Sequence, residues 1–502
     1  MRNILLFTMV FLMSCSNMTQ KKQLEENKYK TTWESLSQHH EEPEWFQDAK
    51  LGIYFHWGVY SVPAYRTEWY PRHMHMKNGW DHSDIYNHHV ETYGEPTEFP
   101  YPNFVPLFKA EKFNAIEWAQ LFKKAGAKFA GPVAEHHDGF ALWDSEFTPW
   151  NAMDKGPKRD LTGELEKAIK AEQMKFITTF HHARNNLYEI EPGKWEGHFN
   201  GIINDGFESL LEHSENAIMY GYMPREEFLE MWENKLEEVI DNYQPDIIWF
   251  DSWLDEIPEE YRQEFCAYYL NAAESWDKEV VIVRKQNDLP LDCSVDDLEK
   301  SRKNKLGEKV WMTDETISKG SWCYTEDLPI KEAKDVLHVL IDIVSKNGVL
   351  LLNISPMADG SIPDNQKDVL LSMGDWLSKY GEAIYETRPW YTFGEGPTVE
   401  PEGHFQNHEE FLKIKYSAKD IRYTTKGNAI YAIVLGHPEE KSLQLKSFAV
   451  EHLPSVVKIK KISSLETGES LKWDFNEEGL KINIPNQLKK TMAQVFKIEI
   501  EE

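Results

Sequence analysis

The stretch AIEWAQLFKKAGAKFAGPVAEHHDG, residues 115–139, contains the pattern on which the fold prediction rests. Its apolar residues first recur at helical spacing, which predicts an amphipathic helix over Ala115–Gly126 that ends at a glycine. A short apolar run follows at once and predicts a strand over Lys128–Ala134, with the polar residues Glu135–Gly139 directly after it. This order of helix, buried strand and polar strand end is typical of a parallel α/β protein.

The same alternation continues on both sides of this unit. The other predicted strands are Leu51–His56, Lys175–Phe180, Asp246–Phe250, Val280–Val283 and Gly348–Ile354, and the other predicted helices are Leu165–Gln173, Glu226–Asn242 and Lys331–Lys346. Such alternation over roughly 350 residues fits a (β/α)8 barrel better than an open sheet. No glycine-rich phosphate-binding motif follows the early strands, which weakens a dinucleotide-binding interpretation. We therefore predict a TIM-like barrel over residues 33–392.

The sequence changes character after Trp390. The segment Thr392–Pro397 is rich in glycine and predicts a linker. The short alternating apolar runs beyond it predict the strands Ile421–Thr424, Ala429–Leu435, Val456–Ile462, Leu480–Ile484 and Ala493–Ile500. We therefore expect residues 393–502 to form a separate antiparallel β-domain.

Composition limits the classes of function. The chain has 502 residues with 84 acidic and 55 basic side chains, a formal net charge of −29. This balance argues against nucleic acid as a partner, because phosphate binding requires clustered Lys and Arg. Aromatic residues make up 13% of the chain; most should fill the core, but Tyr and Trp also suit recognition of sugars, peptides or bases. Neither a disulfide framework nor a zinc site is indicated by Cys266, Cys293 and Cys323.

The N-terminal segment has the pattern of an export signal. Residues 1–14 predict a signal peptide, because Arg2 precedes an apolar run over Ile4–Met13 that is too short to span a bilayer. The run ends in Leu12-Met13-Ser14-Cys15, which resembles the lipobox of bacterial lipoproteins; the alternative is a plain secretory signal. We expect lipidation at Cys15, a polar tether over residues 15–32, and a periplasmic or cell-surface protein attached to the membrane only through that lipid.

Polar residues stand at the ends of four predicted strands. They are His56, Glu135–Asp138, His181-His182 and Asp251. In a parallel barrel the C-terminal ends of the strands meet at the face where catalysis takes place. One charged residue after an apolar run is usually a helix cap or an ion-pair partner, whereas four on successive strands indicate a functional site.

Three kinds of chemistry fit such a site to different degrees. His56, His136 and Asp251 are candidate metal ligands, but their spacing matches no metal motif, and neighbours such as His136 and His137 point to opposite faces of a strand. A serine triad requires the elbow Gly-x-Ser-x-Gly, which the sequence does not contain. Paired carboxylates remain: Asp251, and a second from the acidic segment Asp292–Glu299. A carboxylate nucleophile with a carboxyl acid/base is the machinery of a retaining glycosidase.

Taken together, the motifs resemble the α-L-fucosidases of glycoside hydrolase family 29. The likeness runs from about Trp45 to Trp390 and is densest at WFQDAKLGIYFHWG, residues 45–58. It continues at Glu68-Trp69-Tyr70, His136–Phe140, Trp249-Phe250-Asp251, Val344–Gly348, Leu351–Pro356, Asp359-Gly360 and Gly381–Tyr385. The resemblance implies a distorted (β/α)8 barrel followed by a β-sandwich. It also implies removal of terminal α-L-fucose from fucosylated oligosaccharides or polysaccharides with retention, and no metal or organic cofactor.

The resemblance also implies roles for individual residues. Asp251 matches the nucleophile, and Glu299, in Asp297-Leu298-Glu299-Lys300-Ser301-Arg302, resembles the acid/base of one family variant. Asp297 is the second candidate for that role, and a solvated acidic loop is the alternative to both. The residues expected to hold the sugar are His56, Glu68, Trp69, His136, His137 and Trp322.

The sequence departs from the family pattern at two places. The Asn-Asp-Arg-Trp-Gly of many members reads Asn287-Asp288-Leu289-Pro290 here, so the arginine near the nucleophile is either supplied by Arg284 or absent. A strand end that is rich in tyrosine in some members reads Thr178–His182. Both differences are expected to change linkage or leaving-group preference. Two alternatives stay open: a non-catalytic fucose-binding lipoprotein, and a related glycosidase for L-galactosides.

Overall fold

A computed structural model describes residues 27–77, 83–401, 408–454, 457–485 and 488–501. The predicted signal peptide and the lipidation site at Cys15 lie outside these ranges. The first domain is a closed barrel of eight strands, each parallel to its two neighbours and placed in sequence order around the ring. Its strands are β1 (Leu51–Phe55), β2 (Phe129–Glu135), β3 (Lys175–Phe180), β4 (Ile247–Phe250), β5 (Val281–Lys285), β6 (Val295–Asp297), β7 (Trp311–Thr316) and β8 (Gly348–Ile354).

Six long helices surround the barrel, so the predicted TIM-like fold is confirmed with an incomplete helical layer. They are α1 (Ala115–Ala125), α2 (Leu161–Ala171), α3 (Arg225–Tyr243), α4 (Glu259–Ser275), α5 (Ala333–Ser345) and α6 (Asp364–Tyr380). No helix occurs within the described residues 286–310, so β5, β6 and β7 are joined by irregular chain alone. The other α-helices of the described residues are Trp33–Leu36, Glu44–Ala49, Tyr70–His73, Ser83–Tyr93, Gly201–Asn204, Ser214–Met219 and His408–Lys413.

The ends of α1 show how the local sequence defines an element. The Asn114 side chain accepts hydrogen bonds from the amides of Ile116 and Glu117, which are unpaired at a helix start. Gly126 ends the helix with φ +95°, and a Cβ there would lie 2.6 Å from the Tyr385 hydroxyl. Glycine is therefore required both by the backbone angle and by the close approach of α1 to the chain after α6.

The strands bury side chains on both faces. One set fills the barrel interior and includes Tyr54, Ile177, Trp249, Val283 and Leu351. The other set packs outward against the helices. Because every strand residue of β1, β2, β4 and β8 is buried, these strands read as continuous apolar runs, which made them visible in the sequence.

Two barrel strands, β6 and β7, were not predicted. β6 has three residues and two of them are aspartates, while β7 carries Thr313, Asp314 and Glu315 in its centre. Asp297 and Asp314 face the barrel interior beside Lys285, while Asp296 and Glu315 pair with Arg284 and Lys331 on the other face, so the apolar pattern that marks a strand is missing. The strand predicted over Val280–Val283 also extends to Lys285.

The C-terminal domain is an antiparallel β-sandwich, as predicted. Its five-stranded sheet has the order Arg388–Glu395, Ile421–Lys426, Ala429–Val434, Gln494–Ile500 and Ile459–Ser464. Its three-stranded sheet has the order Ser442–Leu445, Gly479–Asn483 and Trp473–Asn476. An apolar core lies between the two sheets and includes Tyr423, Ala432, Leu445, Leu480 and Phe496.

The predicted linker at Thr392–Pro397 is wrong over most of its length. Residues Arg388–Glu395 form the edge strand of the larger sheet, which begins before residue 393. The strand tolerates Pro389 because it has only one neighbour, and its register shifts between Pro389 and Gly394. Pro389 and Gly394 therefore lie in an edge strand and flank its register shift.

The last residues of the segment predicted as a tether, residues 15–32, already pack on the barrel. Tyr29 is buried, and its backbone exchanges two hydrogen bonds of 3.0 and 2.9 Å with the Asn271 side chain on α4. The chain is therefore docked on the barrel from Tyr29 onward. In the part of the chain that the structure describes, no helix is both long enough and apolar enough to span a bilayer.

Candidate active site

A cavity of about 590 Å³ opens at the C-terminal ends of the barrel strands. Its volume is in the range of small-molecule sites. The wall is formed by His56, Arg66, Thr67, Glu68, Trp69, His136, His181, Asp251, Ser252, Trp253, Lys285, Gln286, Glu299, Lys300, Asp314, Gly320, Ser321 and Trp322. All the predicted catalytic and sugar-binding residues are on this wall except His137, which lies behind Asp251.

Lys285, the last residue of β5, is the charge centre of the cavity. Its Nζ lies 3.1 Å from Asp251 Oδ1, 3.0 Å from Glu299 Oε2 and 3.4 Å from Asp314 Oδ2. Burial would lower the pKa of Lys285, but the surrounding carboxylates raise it well above its ordinary value. The ammonium therefore stays charged and acts on each of these carboxyl groups.

Asp251, directly after β4, is held ionised. Its Oδ2 lies 3.2 Å from His137 Nε2 and 3.9 Å from His181 Nε2, while Lys285 contacts Oδ1. Burial would raise the pKa of Asp251, but Lys285 and the two histidines hold it well below its ordinary value. An ionised carboxylate that faces a cavity is suited to nucleophilic attack.

Glu299 has the opposite protonation preference. Burial raises the pKa of Glu299 to about 7, and the charges of Asp314 and Asp251 reinforce this against Lys285 and Lys300. The residue also has φ +33°, and Lys300 after it has φ +48°, a left-handed conformation that non-glycine residues rarely adopt. Glu299 can thus carry a proton near neutral pH, as a general acid must.

Asp297 does not line the cavity. Its Oδ1 accepts a hydrogen bond of 2.8 Å from the Asp314 amide, and the residue is 1% exposed. Burial and the neighbouring Asp314 raise the pKa of Asp297 well above its ordinary value. Asp314 in turn accepts a hydrogen bond of 2.8 Å from the Tyr54 hydroxyl. Asp297 therefore supports the wall residue Asp314 from inside the barrel, and of the two acid/base candidates only Glu299 reaches the cavity.

Three histidine rings form one side of the cavity. Asn353 fixes His56, with its Oδ1 2.8 Å from Nδ1 of the ring. His136 and His181 lie beside His56, and one nitrogen atom from each of the three rings lies within 4.8 Å of the others. Among the residues that the structure describes, these three are therefore the ones that could bind a metal ion. Burial lowers the pKa of each ring. Neutral imidazoles offer both a donor and an acceptor, which suits sugar hydroxyls equally well.

Glu68 and Trp322 are joined to each other next to His56. The Trp322 amide and the Ser321 hydroxyl each donate a hydrogen bond of 3.0 Å to Glu68 Oε2. The Trp322 ring stacks on His56 with centroids 5.3 Å apart. Trp322 thereby presents a fixed apolar face beside polar groups, an arrangement that fits a sugar ring.

Trp69 forms a second aromatic wall together with Trp253. Their ring centroids lie 5.8 Å apart, and Trp69 also packs on His137 at 5.1 Å. The Arg184 guanidinium covers the Trp253 ring at 3.7 Å. The sequence predicts no role for Trp253 or Arg184, because no motif marks either residue.

The cation that contacts the nucleophile candidate Asp251 is Lys285, and Arg284 does not supply the arginine expected there. The Arg284 side chain points away from the cavity, to Asp296 at 3.3 Å and to the Leu289 carbonyl. Because side chains alternate along β5, Lys285 points into the barrel where Arg284 does not. The predicted strand stops at Val283 and so does not include Lys285. His181 stands at a predicted strand end without a predicted role, and Asp314 lies on a strand that the sequence pattern does not predict.

Comparison with known proteins identifies the family of the chain. A family model for α-L-fucosidase matches residues 16–382, and a model for the α-L-fucosidase C-terminal domain matches residues 415–499. The tissue α-L-fucosidase of Rattus norvegicus is 31% identical over 493 residues, covering 95% of this chain and 93% of that protein. The tissue α-L-fucosidase of Homo sapiens is 31% identical over 476 residues, covering 91% and 88%.

A solved structure extends the likeness to three dimensions. The crystal structure of Thermotoga maritima α-fucosidase in complex with fucose has a TM-score of 0.73 and 29% sequence identity to this chain, and it covers 94% of this chain and 100% of its own. The family predicted from the motifs is thus confirmed in sequence, in both domains and in fold. The chain belongs to the α-L-fucosidases of glycoside hydrolase family 29.

Proposed function

We propose that this enzyme removes terminal α-L-fucose from fucosylated glycans with retention, with Asp251 as nucleophile and Glu299 as acid/base. The observation that carries the proposal is the contrast between the two carboxyl groups. Both contact the Lys285 ammonium, yet the pKa of Asp251 is held well below its ordinary value while that of Glu299 is raised to about 7. One group is ionised and the other protonated at the same pH, as the two roles require.

The separation of the two groups is compatible with retention. Their contacts with a single ammonium, at 3.1 and 3.0 Å, keep the nearest oxygens within about 6 Å of each other. Retaining glycosidases have carboxyl groups about 5–5.5 Å apart, whereas inverting ones leave about 6.5–9.5 Å for a water molecule between them.

The reaction proceeds in two displacements. Asp251 Oδ forms a bond to the anomeric carbon while the bond to the glycosidic oxygen breaks, and Glu299 gives its proton to that oxygen. The product is a β-linked fucosyl ester of Asp251, with Glu299 now ionised. Glu299 then takes a proton from water, whose oxygen attacks the anomeric carbon and releases α-L-fucose and the Asp251 carboxylate. Protons and charge balance over the cycle, to which the protein contributes the side chains of Asp251 and Glu299 and the solvent one water molecule.

Sugar recognition is assigned to the remaining wall. The neutral rings of His56, His136 and His181 and the carboxylate of Glu68 supply hydrogen-bond partners for hydroxyl groups. Trp322 supplies the apolar face. The fucose named in the Thermotoga maritima complex supports this sugar as the substrate.

Azide rescue tests the two roles through opposite stereochemistry. In Glu299→Ala, an activated aryl α-L-fucoside still forms the ester, and azide then yields α-fucosyl azide. In Asp251→Ala, azide occupies the space of the lost carboxylate and yields β-fucosyl azide. Proton NMR of the products distinguishes the two anomers. The assignment is overturned if Asp251→Ala gives the α-azide, or if Glu299→Ala cleaves phenyl α-L-fucoside at the wild-type rate.

We also propose that the enzyme is exported and attached to a membrane through a lipid on Cys15. The support is the sequence pattern alone: an apolar run of ten residues and the Leu-Met-Ser-Cys that ends it. Wild-type protein expressed in a bacterial host should partition into detergent on phase separation, and Cys15→Ser should stay in the aqueous phase. Equal partitioning of the two would refute lipidation.

A further inference from the structure

The acid/base segment is connected to the C-terminal domain by a buried ion network. Three residues after Glu299, Arg302 points away from the cavity, and its Nε lies 3.0 Å from Glu400 Oε1. Its guanidinium also covers the Phe411 ring at 4.7 Å. Both partners follow the first strand of the β-sandwich domain, so the loop that carries Glu299 is attached to a second domain.

Further charges make the attachment rigid. Glu400 also binds Lys346 and the Tyr416 hydroxyl. Asp342 on α5 lies 2.7 Å from Lys346 Nζ and 2.6 Å from Arg422 Nε, with Arg302 Nε 3.8 Å away. The ionised side chains in this network are at most 3% exposed. Each carboxylate therefore has at least two cationic partners, so displacing any one member weakens the pairing of buried charges on both domains.

Net stability does not account for such a network. Taking several charges out of water costs about as much as their attraction returns, and apolar replacements of whole networks are often as stable. What a buried network of this kind supplies is a fixed geometry. The geometry at stake here is unusual, because Glu299 and Lys300 are consecutive non-glycine residues with positive φ, which persist only where surrounding contacts impose them.

The two ends of the segment are held differently. On the cavity side the Lys300 amide donates a hydrogen bond of 2.8 Å to the Asp314 carbonyl, and the Lys300 ammonium lies 4.3 Å from the centre of the Trp322 ring. On the far side the Arg302 contacts are to the C-terminal domain and to α5. Removing the Arg302 contacts therefore releases one end of the strained turn that contains Glu299, three residues before Arg302.

We propose that Arg302, held by Glu400 of the C-terminal domain, is a positioning residue that keeps the Glu299 carboxyl in place for proton transfer. The inference rests on the proposed role of Glu299 and gives the β-sandwich a part in catalysis. Loss of the anchor should harm the step that needs a proton donor, and harm it most for leaving groups that cannot depart without one.

The experiment compares full-length Arg302→Met with wild type over a series of aryl α-L-fucosides, from 2,4-dinitrophenyl to phenyl. Relative to wild type, the loss of kcat/KM in Arg302→Met should be at least about ten times larger for the phenyl substrate than for the dinitrophenyl substrate. Glu400→Gln should show the same trend, and Arg302→Lys, which keeps the charge, a smaller one. Arg388→Met is the matched control, because Arg388 pairs with Asp48 across the same two domains at 2.6 Å without touching the Glu299 segment.

The outcomes separate the two proposals. Glu299→Ala sets the reference for a lost proton donor. If its loss of kcat/KM does not grow with the leaving-group pKa, the assignment of Glu299 fails. The anchor inference alone is overturned by a different result. In that case Glu299→Ala loses more kcat/KM as the leaving-group pKa rises, whereas folded Arg302→Met and Glu400→Gln, like Arg388→Met, lose the same factor of kcat/KM on every substrate.

Discussion

Replacing Lys285 by Gln should move the whole pH profile of kcat/KM to higher pH. The Lys285 charge favours the ionised form of both Asp251 and Glu299, at 3.1 and 3.0 Å, so its removal raises both pKa values. A unit charge at 3.0 Å contributes about 1.4 kcal/mol at the dielectric constant of water and about 5.5 kcal/mol at an effective value of 20. Even the smaller figure corresponds to about one pH unit.

The wild-type basic limb follows the Glu299 pKa of about 7, and in Lys285→Gln it should lie at about pH 8 or higher. The acid limb, set by Asp251, should rise with it. The assay is kcat/KM for an aryl α-L-fucoside in buffers of constant ionic strength. Lys331→Gln is the control, since Lys331 is also buried beside a carboxylate, Glu315 at 2.8 Å, but does not contact the catalytic pair. A basic limb that stays near pH 7 in Lys285→Gln would refute the electrostatic account.

Further predictions concern proton donation, stability, sugar contact and metals. Wild-type kcat/KM should fall as pH rises through about 7, because Glu299 must be protonated to act as acid, and this limb should vanish in Glu299→Gln. Lys235→Met should lower the free energy of unfolding by about 3–5 kcal/mol, because it leaves Glu135 buried without its 2.8 Å partner, and Lys235→Met/Glu135→Leu should recover most of that loss in denaturant titrations. Trp322→Ala should raise KM by about tenfold through loss of the apolar sugar face, whereas Trp322→Phe should recover most of the affinity. Dialysis against EDTA should leave kcat unchanged, because each proposed step uses side chains only; a loss that zinc restores would contradict the mechanism.

The sequence predicted the barrel wherever a strand is buried on both faces. The runs that end at Phe55, Ala134, Phe180 and Phe250 are apolar for that reason. Among the polar residues that follow them, His56, His136, His181 and Asp251 reach the cavity. The predicted strand ends therefore identified His56, His136 and Asp251 together. A polar residue after an apolar run marks the end of a barrel strand, and the C-terminal ends of barrel strands are where catalytic residues lie.

The part of the site that the sequence did not reveal lies on the irregular side of the barrel. β6 and β7 carry aspartates inside the barrel, and these are tolerated only because Lys285 and Tyr54 reach them from β5 and β1. Such compensation across strands has no local signature. The same is true of Arg302 and Glu400, which are 98 residues apart in sequence and meet only in the folded chain.

The most direct test of the central claim is to trap the ester on Asp251. Glu299→Gln should be incubated with 2-deoxy-2-fluoro-L-fucosyl fluoride, whose reactive leaving group needs no acid and whose fluorine slows hydrolysis of the ester. Intact-protein mass spectrometry should show one fluorofucosyl group per chain, peptide mapping should place it on Asp251, and Asp251→Asn should take up none. A label on any other residue, or turnover of the reagent without a label, would contradict the account.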